Sequence, residues 1–301
     1  MGALGFIGST TVAEFGRAGY RVIGVDHGPA AATSQTPEGY RHEQMDLPSP
    51  RLAELMAETR PGVVINAAGP ASVAGSMVDP QSDFHGTVGV LLCVLDAVRL
   101  AGSAARVVTM SSAAVYGNPA SLPILEDAPL APVSPYGFHK EIAETLLTEY
   151  YDTFGVASCA ARVFSAYGPG LRRQLLWDVC QKALTGGPVA LSGTGEETRD
   201  FIHVQDVARA IRILAERADM SARAYNVASG VETSVGEIAR GLVSSISADM
   251  PVEFSGIQRP GDPLRWRADI TAIEELGFAP SVSIADGIEQ VATWCVQEAK
   301  A

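Results

Sequence analysis

Four short apolar runs alternate with amphipathic stretches in the first 165 residues, and this alternation is the feature that most constrains the fold. The runs predict buried strands in YRVIGVD (20–26), GVVINAAG (62–69), ARVVTMSS (105–112) and VASCAARVF (156–164). Helical patterns fill the intervals over 8–19, 50–59, 81–101 and 135–154. Strands that alternate with helices predict an α/β protein with a doubly wound parallel sheet.

The rhythm loosens after residue 165, where glycine and proline punctuate the chain in AYGPG, TGGP, SGTG and QRPGDP. Helical patterns recur over 174–184, 204–217, 234–246 and 283–297, and the third carries the spacing of a capping box at Ser234 and Glu237. We therefore predict a sheet domain over 1–165, to which segments near 186–207 contribute. A smaller C-terminal α/β lobe over 166–301 would mainly bind substrate.

A glycine-rich turn opens the chain, with Gly2, Gly5 and Gly8 in a G-x-x-G-x-x-G pattern. Such glycines let the backbone approach a pyrophosphate at a helix N-terminus, which makes the sheet domain a Rossmann-type candidate. The strand YRVIGVD ends at Asp26, 18 residues after Gly8. A carboxylate there accepts hydrogen bonds from both hydroxyls of an adenosine ribose and repels a 2′-phosphate, which favours NAD over NADP.

The glycine turn lacks the strand that normally leads into it, because only Met1 precedes Gly2. In a doubly wound sheet this strand is central, and its loss would leave its neighbours without hydrogen-bond partners. We expect either that an apolar strand lies ahead of this sequence or that another segment fills the place by domain swapping. The first alternative is favoured.

Further cofactor contacts are expected at the carboxyl ends of the strands. Asp46 follows the next strand, where it could meet an adenine amino group, and Ala67, Ala68 and Gly69 end the strand GVVINAAG with small side chains beside the pyrophosphate. The remaining predicted contacts are Phe6, Ile7, Leu47, Ser111 and Val163.

A Y-x-x-x-K pair in SPYGFHK is the candidate catalytic centre. Tyr136 and Lys140 share one helix face at i, i+4 spacing, and an ammonium near a phenol favours the phenolate and lowers the tyrosine pKa. Ser111 and Ser112 end a buried strand 24 residues upstream. Ser112 could share a substrate oxygen with Tyr136.

The segments GALGFIG, GVD, SSAAVYGNP, SPYGFHK, RVFSAYGPG, TRDFIHVQDVA, YNVASG, RPGDP and DITAIEELGFAP follow one another along nearly the whole chain. In this order they resemble the extended short-chain dehydrogenase/reductase family, in its nucleotide-sugar epimerase and dehydratase branch (UDP-glucose 4-epimerase-like). The resemblance implies a tightly held NAD in the first domain and a nucleoside-diphosphate sugar in the second. It also implies that Ser112 and Tyr136 act as the hydrogen-bonding and acid/base pair, and that Lys140 holds the nicotinamide ribose.

Arginines are the expected ligands of the substrate diphosphate, because their planar guanidinium groups bind phosphate with two hydrogen bonds. Arg199 and Arg259 follow loops of the second lobe, and both match the diphosphate clamps of the family. By the same resemblance Asp262 would lie near the nucleoside ribose, and Ser165 replaces an asparagine that contacts the sugar or phosphate. Two further substrate contacts are predicted at Arg172 and Gln174.

Two alanines beside the catalytic serine narrow the reaction. Dehydratases and decarboxylases of the resembled family carry acidic side chains at the positions of Ala113 and Ala114, and a methyl group transfers no proton. The leading hypothesis is therefore 4-epimerisation through a transient ketone. The alternatives are a reductase that acts on a 4-keto sugar nucleotide with external NAD(P)H, and a cofactor-binding interaction protein without turnover.

The overall charge argues against nucleic acid as a partner, since the chain carries a net charge of -12 and has a pI near 4.9. No apolar run reaches the roughly 20 residues of a membrane span, and no signal peptide is evident, so we expect a cytoplasmic protein. Scattered histidines predict no metal site. The helices over 81–101 and 135–154 carry apolar residues on several faces, and the resemblance to the family implies that they join two chains in a four-helix bundle, so we expect a homodimer.

Overall fold

The computed structural model describes residues 1–30, 36–247, 250–257 and 264–300. The first part of the chain forms strands β1 (Ile23–Asp26), β2 (Arg41–Gln44), β3 (Val63–Asn66), β4 (Arg106–Ser112) and β5 (Ser158–Val163). Its helices are α1 (Phe6–Arg17), α2 (Arg51–Thr59), α3 (Val73–Val78), α4 (Pro80–Phe84), α5 (Val90–Leu100) and α6 (Pro135–Phe154).

The second part adds six strands, β6 (Ser165–Tyr167), β7 (Val189–Leu191), β8 (Thr198–His203), β9 (Ser221–Val227), β10 (Glu232–Ser234) and β11 (Val252–Phe254). Its helices are α7 (Gln174–Thr185), α8 (Val204–Arg217), α9 (Val235–Ile246), α10 (Thr271–Glu274) and α11 (Ile284–Glu298).

A parallel sheet with the strand order β3-β4-β5-β9 forms the centre of the molecule, and β1 and β2 form a second parallel pair. Helices α1 and α8 pack on one face of the main sheet, while α2, α5 and α6 pack on the other. With helices on both faces, every residue of β5 is buried. The predicted doubly wound, Rossmann-type α/β fold is confirmed.

Smaller sheets and helices form the rest of the chain. β6, β8 and β10 make a three-stranded sheet, and β7 pairs with β11. Helices α7, α9 and α11 share an apolar core around Val179, Ile238 and Val291. The predicted division at residue 165 falls between β5 and β6, and it stays a prediction.

Local sequence signals explain where several helices begin and end. Helix α6 has the bounds predicted, with Ser134 as N-cap, Pro135 at its first position and Gly155 in the left-handed conformation after it. The predicted capping box of α9 is confirmed, because Ser234 and Glu237 each accept a hydrogen bond from the backbone of the other.

Two predicted helices differ in detail from the structure. The helix predicted over 81–101 is present and runs without interruption from Pro80 to Leu100, but it contains a π-helical turn (His85–Gly89) between α4, which Asp79 caps, and α5. Gly86, in this turn, lies so close to Pro70 that an added Cβ would stand 2.7 Å from the Pro70 Cδ. At α2, Pro50 is the N-cap rather than the first helical residue.

The first residues of the chain lie between β1 and β3. The Met1 amino group donates a hydrogen bond to the Ile65 carbonyl at 2.6 Å, and Ala67 N–H donates to the Met1 carbonyl at 3.0 Å. On the other side Gly2 N–H donates to the Val25 carbonyl at 2.9 Å. This short segment therefore connects the β1–β2 pair to the main sheet.

Candidate active site

The glycine turn brings the backbone into very close contact. Gly2 has a φ of +74°, and an added Cβ would stand 2.7 Å from the Ala67 backbone. A Cβ at Gly8 would stand 1.8 Å from the Gly2 carbonyl oxygen. α1 begins directly after Gly5 and has no side-chain cap, so the first N–H groups of this 12-residue helix, near Phe6 and Ile7, can bind an anion.

Asp26 lies at the carboxyl end of β1 and is buried, with 8% of its surface exposed. Its Oδ2 accepts a hydrogen bond from Leu4 N–H at 2.9 Å, and Oδ1 accepts one from Gly28 N–H at 3.2 Å. His27 Nδ1 also lies 3.0 Å from Oδ1, so the remaining acceptor position is on Oδ2, because an ionised carboxylate offers about two acceptor positions on each oxygen. The side chain that joins strand and turn can therefore also accept a hydrogen bond from a ribose hydroxyl.

The other predicted cofactor residues surround this turn. Exposed Asp46 lies two residues after the end of β2, next to Leu47. Ala67 and Ala68 follow β3 and contact the position of Gly2, and Gly69 has a φ of +124°. The glycine turn, the uncapped N-terminus of α1 and the buried Asp26 together fit a dinucleotide.

The predicted catalytic residues come together at the start of α6 and the end of β4. The Ser112 hydroxyl lies close enough to the phenol of Tyr136 to lower its pKa. The Lys140 ammonium lies 5.6 Å from the centre of the Tyr136 ring and donates a hydrogen bond to the Met110 carbonyl at 2.9 Å. Lys140 is buried, with 6% of its surface exposed.

Burial dominates the pKa values of these groups. It lowers the pKa of the Lys140 ammonium to about 8, against the opposing effect of Asp83 and Glu144. It raises the pKa of Tyr136, with a further rise from Asp83, while the nearby Ser112 hydroxyl and the charge of Arg173 lower it. The net pKa of Tyr136 is raised because burial outweighs the favourable contacts, and the predicted lowering by Lys140 stays a prediction.

Sequence reasoning missed Glu144, which lies one turn after Lys140 on α6. Its Oε1 accepts a hydrogen bond from the Ser111 hydroxyl at 2.5 Å, and its Oε2 accepts one from the buried Arg162 at 2.7 Å. Neighbouring residues of a strand face opposite sides, so Ser111 faces this ion pair while Ser112 faces Tyr136. The i, i+4 spacing of Glu144 from Lys140 was a usable signal.

Residues of α3 and α4 also approach the catalytic helix and were not predicted. The Ser76 hydroxyl accepts a hydrogen bond from Tyr136 N–H at 3.1 Å. Asp83 Oδ2 lies 2.6 Å from His139 Nδ1, and Asp83 Oδ1 is buried without a hydrogen-bond partner among the described residues. No spacing in the sequence connects these residues with Tyr136, because only the packing of α4 on α6 brings them there.

The predicted substrate residues have different surroundings. Ser165 opens β6 and pairs with Phe201 of β8, and Arg199 lies earlier on the same β8 strand. The Arg199 guanidinium stacks 5.7 Å from the centre of the Trp266 ring and donates to the Thr198 carbonyl at 2.8 Å. Two predicted residues, Arg259 and Asp262, lie outside the described residues.

Arg172 differs most from its prediction as a substrate contact. Its exposed guanidinium forms an ion pair with Glu298 of α11 and stacks on Trp294. Gln174 is exposed at the first position of α7 and has a φ of +66°. Val163, by contrast, is buried at the end of β5, the strand next to β4.

The fold and the site define a class of protein: a dinucleotide-binding α/β protein with serine, tyrosine and lysine at the carboxyl end of its sheet. Comparison with known proteins agrees. The profile of the NAD dependent epimerase/dehydratase family matches residues 1–228. This chain belongs to that family.

Individual relatives cover almost the whole chain. A UDP-glucose 4-epimerase of Mycolicibacterium smegmatis is 32% identical over 95% of this chain and 94% of its own length. A dTDP-glucose 4,6-dehydratase of Xanthomonas campestris is 28% identical over 97% and 91%. The solved structure of MoeE5 in complex with UDP-glucose and NAD covers 100% of this chain and 98% of its own, with a TM-score of 0.88 and 28% identity.

No helix in the described part of the chain combines the length and the apolar character needed to cross a membrane.

Proposed function

We propose that this protein is an NAD-dependent 4-epimerase of a nucleoside-diphosphate sugar. The observation that carries the proposal is the approach of the Ser112 hydroxyl to the Tyr136 phenol, with Ala113 and Ala114 directly after Ser112 in the chain. This pair can move a proton to and from one sugar hydroxyl. The two alanines supply no second acid or base for an elimination.

Tyr136 is the proposed acid/base. Its phenolate would accept the proton of the C4 hydroxyl as the alcohol becomes a ketone, and its phenol would return the proton afterwards. Ser112 would hydrogen-bond the same oxygen and hold it in place. The residues around the glycine turn and Asp26 would hold NAD, which would supply hydride transfer at C4, and rotation of the keto sugar would present its opposite face for the return.

Lys140 is proposed to support the phenolate and to hold the nicotinamide ribose. Because burial lowers its pKa to about 8, a large part of the lysine population is neutral slightly above that pH. A neutral lysine gives no electrostatic help to a phenolate. The charged form is therefore the one expected to assist Tyr136.

Two features of the chain favour epimerisation over water elimination and over reduction by NADPH. Ala113 and Ala114 are buried, with 0% and 8% of their surfaces exposed, which disfavours the water elimination named for the dehydratase relative. Asp26 disfavours a 2′-phosphate, and with it an exchanging NADPH.

We also propose that Arg199 binds the substrate diphosphate together with Arg259, and that Asp262 and Ser165 contribute to the same substrate site.

A homodimer through α5 and α6 is part of the proposal. Both helices carry large apolar side chains at the surface, including Leu92, Phe138 and Ile142 at 44%, 51% and 40% exposure. A second copy of these helices would cover them in a four-helix bundle.

The test is to incubate the purified protein with UDP-glucose, the sugar nucleotide named for two of the matched proteins, without any added reductant. Formation of the C4 epimer, with about one NAD per chain released on denaturation, is the expected result. A requirement for added NADH would instead indicate a reductase, and loss of water from the sugar would indicate a dehydratase. Bound NAD without turnover of any sugar nucleotide would indicate a non-catalytic role.

A further inference from the structure

A cavity of about 450 Å³ is lined by the loop 118–122, by the first residue of β10 and by the chain that leads to α10. Small-molecule sites in proteins have volumes of roughly 300–1,000 Å³, so this cavity could hold a ligand. Its charged lining residues are Arg265, Arg267 and Glu232. The described lining is therefore net positive, in a chain whose own net charge is -12.

The carboxylate of this lining is already bonded to the protein. Arg265 donates through Nε and Nη2 to the two Glu232 oxygens at 2.8 and 3.0 Å, and the Thr198 hydroxyl donates to Oε1 at 2.6 Å. The bonds from Arg265 hold the pKa of Glu232 below its usual range, and the charge of Arg267 acts in the same direction. Glu232 and Arg265 thus neutralise each other, and Arg267 supplies the remaining charge of the cavity.

Arg267 Nε is buried and donates to no acceptor among the described residues. In the same part of the chain, no carboxylate forms a salt bridge with the Arg267 guanidinium. A buried N–H without a partner costs free energy, and the cost is larger when the group is charged. An anion in the cavity would supply the acceptor that the protein does not.

The loop that lines the cavity adds backbone donors. Within the described residues, the N–H groups of Ala120, Ser121 and Leu122 donate to no protein acceptor. The Asn118 side chain accepts a hydrogen bond from Leu264 N–H at 3.1 Å, which connects the loop to the chain on the other side of the cavity. Donors are therefore available from both the loop and the arginine.

This cavity lies on the other side of the chain from the proposed diphosphate site. The segment 264–267 is extended and forms backbone hydrogen bonds with Thr198 at the start of β8. Because neighbouring residues of an extended segment face opposite sides, its two arginines face one side and Trp266 faces the other. Trp266 stacks with Arg199, the arginine that we propose for the substrate diphosphate. The two positively charged sites are therefore distinct.

We propose that this cavity binds a phosphate group, either as the free ion or as a small phosphate monoester, through Arg267 and the backbone N–H groups of residues 120–122. A phosphate group has three terminal oxygens and carries up to two negative charges. It can therefore accept from the guanidinium and from the loop together, whereas a carboxylate has only two oxygens. The role of Arg265 is indirect, because it neutralises the Glu232 carboxylate that would otherwise repel the anion.

The experiment is a titration of the ¹⁵N-labelled protein with sodium phosphate at constant ionic strength, in which the backbone amide resonances are followed. We expect saturable shifts at Ala120, Ser121 and Leu122. Arg267→Leu should raise the phosphate concentration at half-saturation at least about tenfold, because it removes a charged donor. Arg51→Leu, on α2 and outside the cavity lining, is the matched control and should leave the titration unchanged. Unsaturable or absent shifts at the three amides, or equal titrations of the unmodified protein and Arg267→Leu, would overturn the proposal.

Two further titrations of the unmodified protein cover the case in which Arg267→Leu fails to fold. Sodium acetate should shift the same three amides at least about tenfold more weakly than phosphate, and equally strong binding of acetate would contradict a phosphate site. Glycerol phosphate separates the two sources: tighter binding than inorganic phosphate indicates a monoester, and weaker binding indicates the free ion. None of these readouts needs turnover, so the proposed epimerase activity can fail without affecting the result.

Discussion

At the scale of single residues, the chemistry of the site depends on the few side chains that can transfer a proton. The Ser112 hydroxyl lies near the phenol of Tyr136, and the Lys140 ammonium is held 5.6 Å from the ring by its bond to the Met110 carbonyl. Burial raises the pKa of Tyr136 above its ordinary 10.0 and lowers the pKa of Lys140 from 10.5 to about 8, so the two values move apart. A positively charged ligand near the phenol would favour its ionisation.

Tyr136→Phe should lower kcat about 10²- to 10⁴-fold, because it removes the hydroxyl that carries the proton while keeping the ring. Steady-state epimerisation measures the effect, and the released NAD should stay unchanged. Tyr151→Phe, on the exposed face of the same helix, is the matched control and should behave as the unmodified protein. Turnover of Tyr136→Phe near the normal rate would reject the acid/base role.

The Met1 amino group should make stability depend on pH. Its pKa falls from 8.0 to about 6 on folding, so the unfolded chain binds more protons between these values. The free energy of unfolding should then rise from about pH 6 to pH 8, with the unfavourable contribution complete below that window. Asp26, the nearest carboxylate, opposes the shift.

N-terminal acetylation provides the measurement. The acetylated chain keeps an N–H to donate to the Ile65 carbonyl but has no charge to bury, so its urea unfolding should lack this part of the pH dependence. The difference between the two chains cancels the contribution of every other titrating group. Parallel stability curves for the two chains between pH 6 and 8 would contradict the prediction.

At the scale of elements, capping residues determine where helices begin, while tertiary packing determines where a helix departs from regular α-helical geometry. The capping residues Ser134 and Ser234 set where α6 and α9 begin, and the sequence predicted the start of α6 and the capping box of α9. The π-helical turn between α4 and α5 was not predicted, because the pattern of apolar residues runs through it and the turn lies against Pro70.

Ser234→Ala should lower the free energy of unfolding by about 1 kcal/mol. The substitution removes the hydroxyl that accepts from Glu237 N–H at 3.1 Å, and Glu237 loses the partner at 2.8 Å. Urea unfolding measures the loss. Ser234→Thr keeps the hydroxyl and should recover most of it; equal destabilisation by the two variants would mean that the cap is not the cause.

At the scale of the whole molecule, the main sheet and the β1–β2 pair are connected by the first residues of the chain. The Met1 and Gly2 backbones bond to both sides, and an apolar cavity of about 320 Å³ lies between β1 and β3. The active-site side chains Ser112, Tyr136 and Lys140 come from β4 and α6, outside this cavity.

The assembly prediction belongs to this scale as well. The unmodified protein should show twice the 31.5 kDa chain mass by light scattering, and Ile142→Glu should shift it towards one chain by placing a charge in the bundle. Val231→Glu is the control, since Val231 is 58% exposed and lies between β9 and β10, away from α5 and α6. A single-chain mass for the unmodified protein would reject the dimer.

Some residues of the candidate site could be predicted from the sequence, and others could not. Tyr136 and Lys140 were found because their spacing brings them to one helix face, and Asp26 because it ends a strand after the glycine turn. Arg172 was assigned to the substrate, but in the structure it pairs with Glu298, which lies far away along the chain. Asp83 was not found at all, because its effect on Tyr136 depends on how α4 packs against α6.

The sequence alone determined the features that arise from neighbouring residues: the strand and helix alternation, the glycine turn, the helix caps and the tyrosine–lysine pair. These depend on backbone preferences and on side chains a few positions apart, which the order of residues states directly. Tertiary structure alone decided which groups are buried together. That burial raises the pKa of Tyr136 and lowers the pKa of Lys140. Tertiary packing also makes the Ser111–Glu144–Arg162 contacts and leaves the cavity between β1 and β3. Burial and charge proximity act between residues distant in the chain, so only the folded molecule shows them.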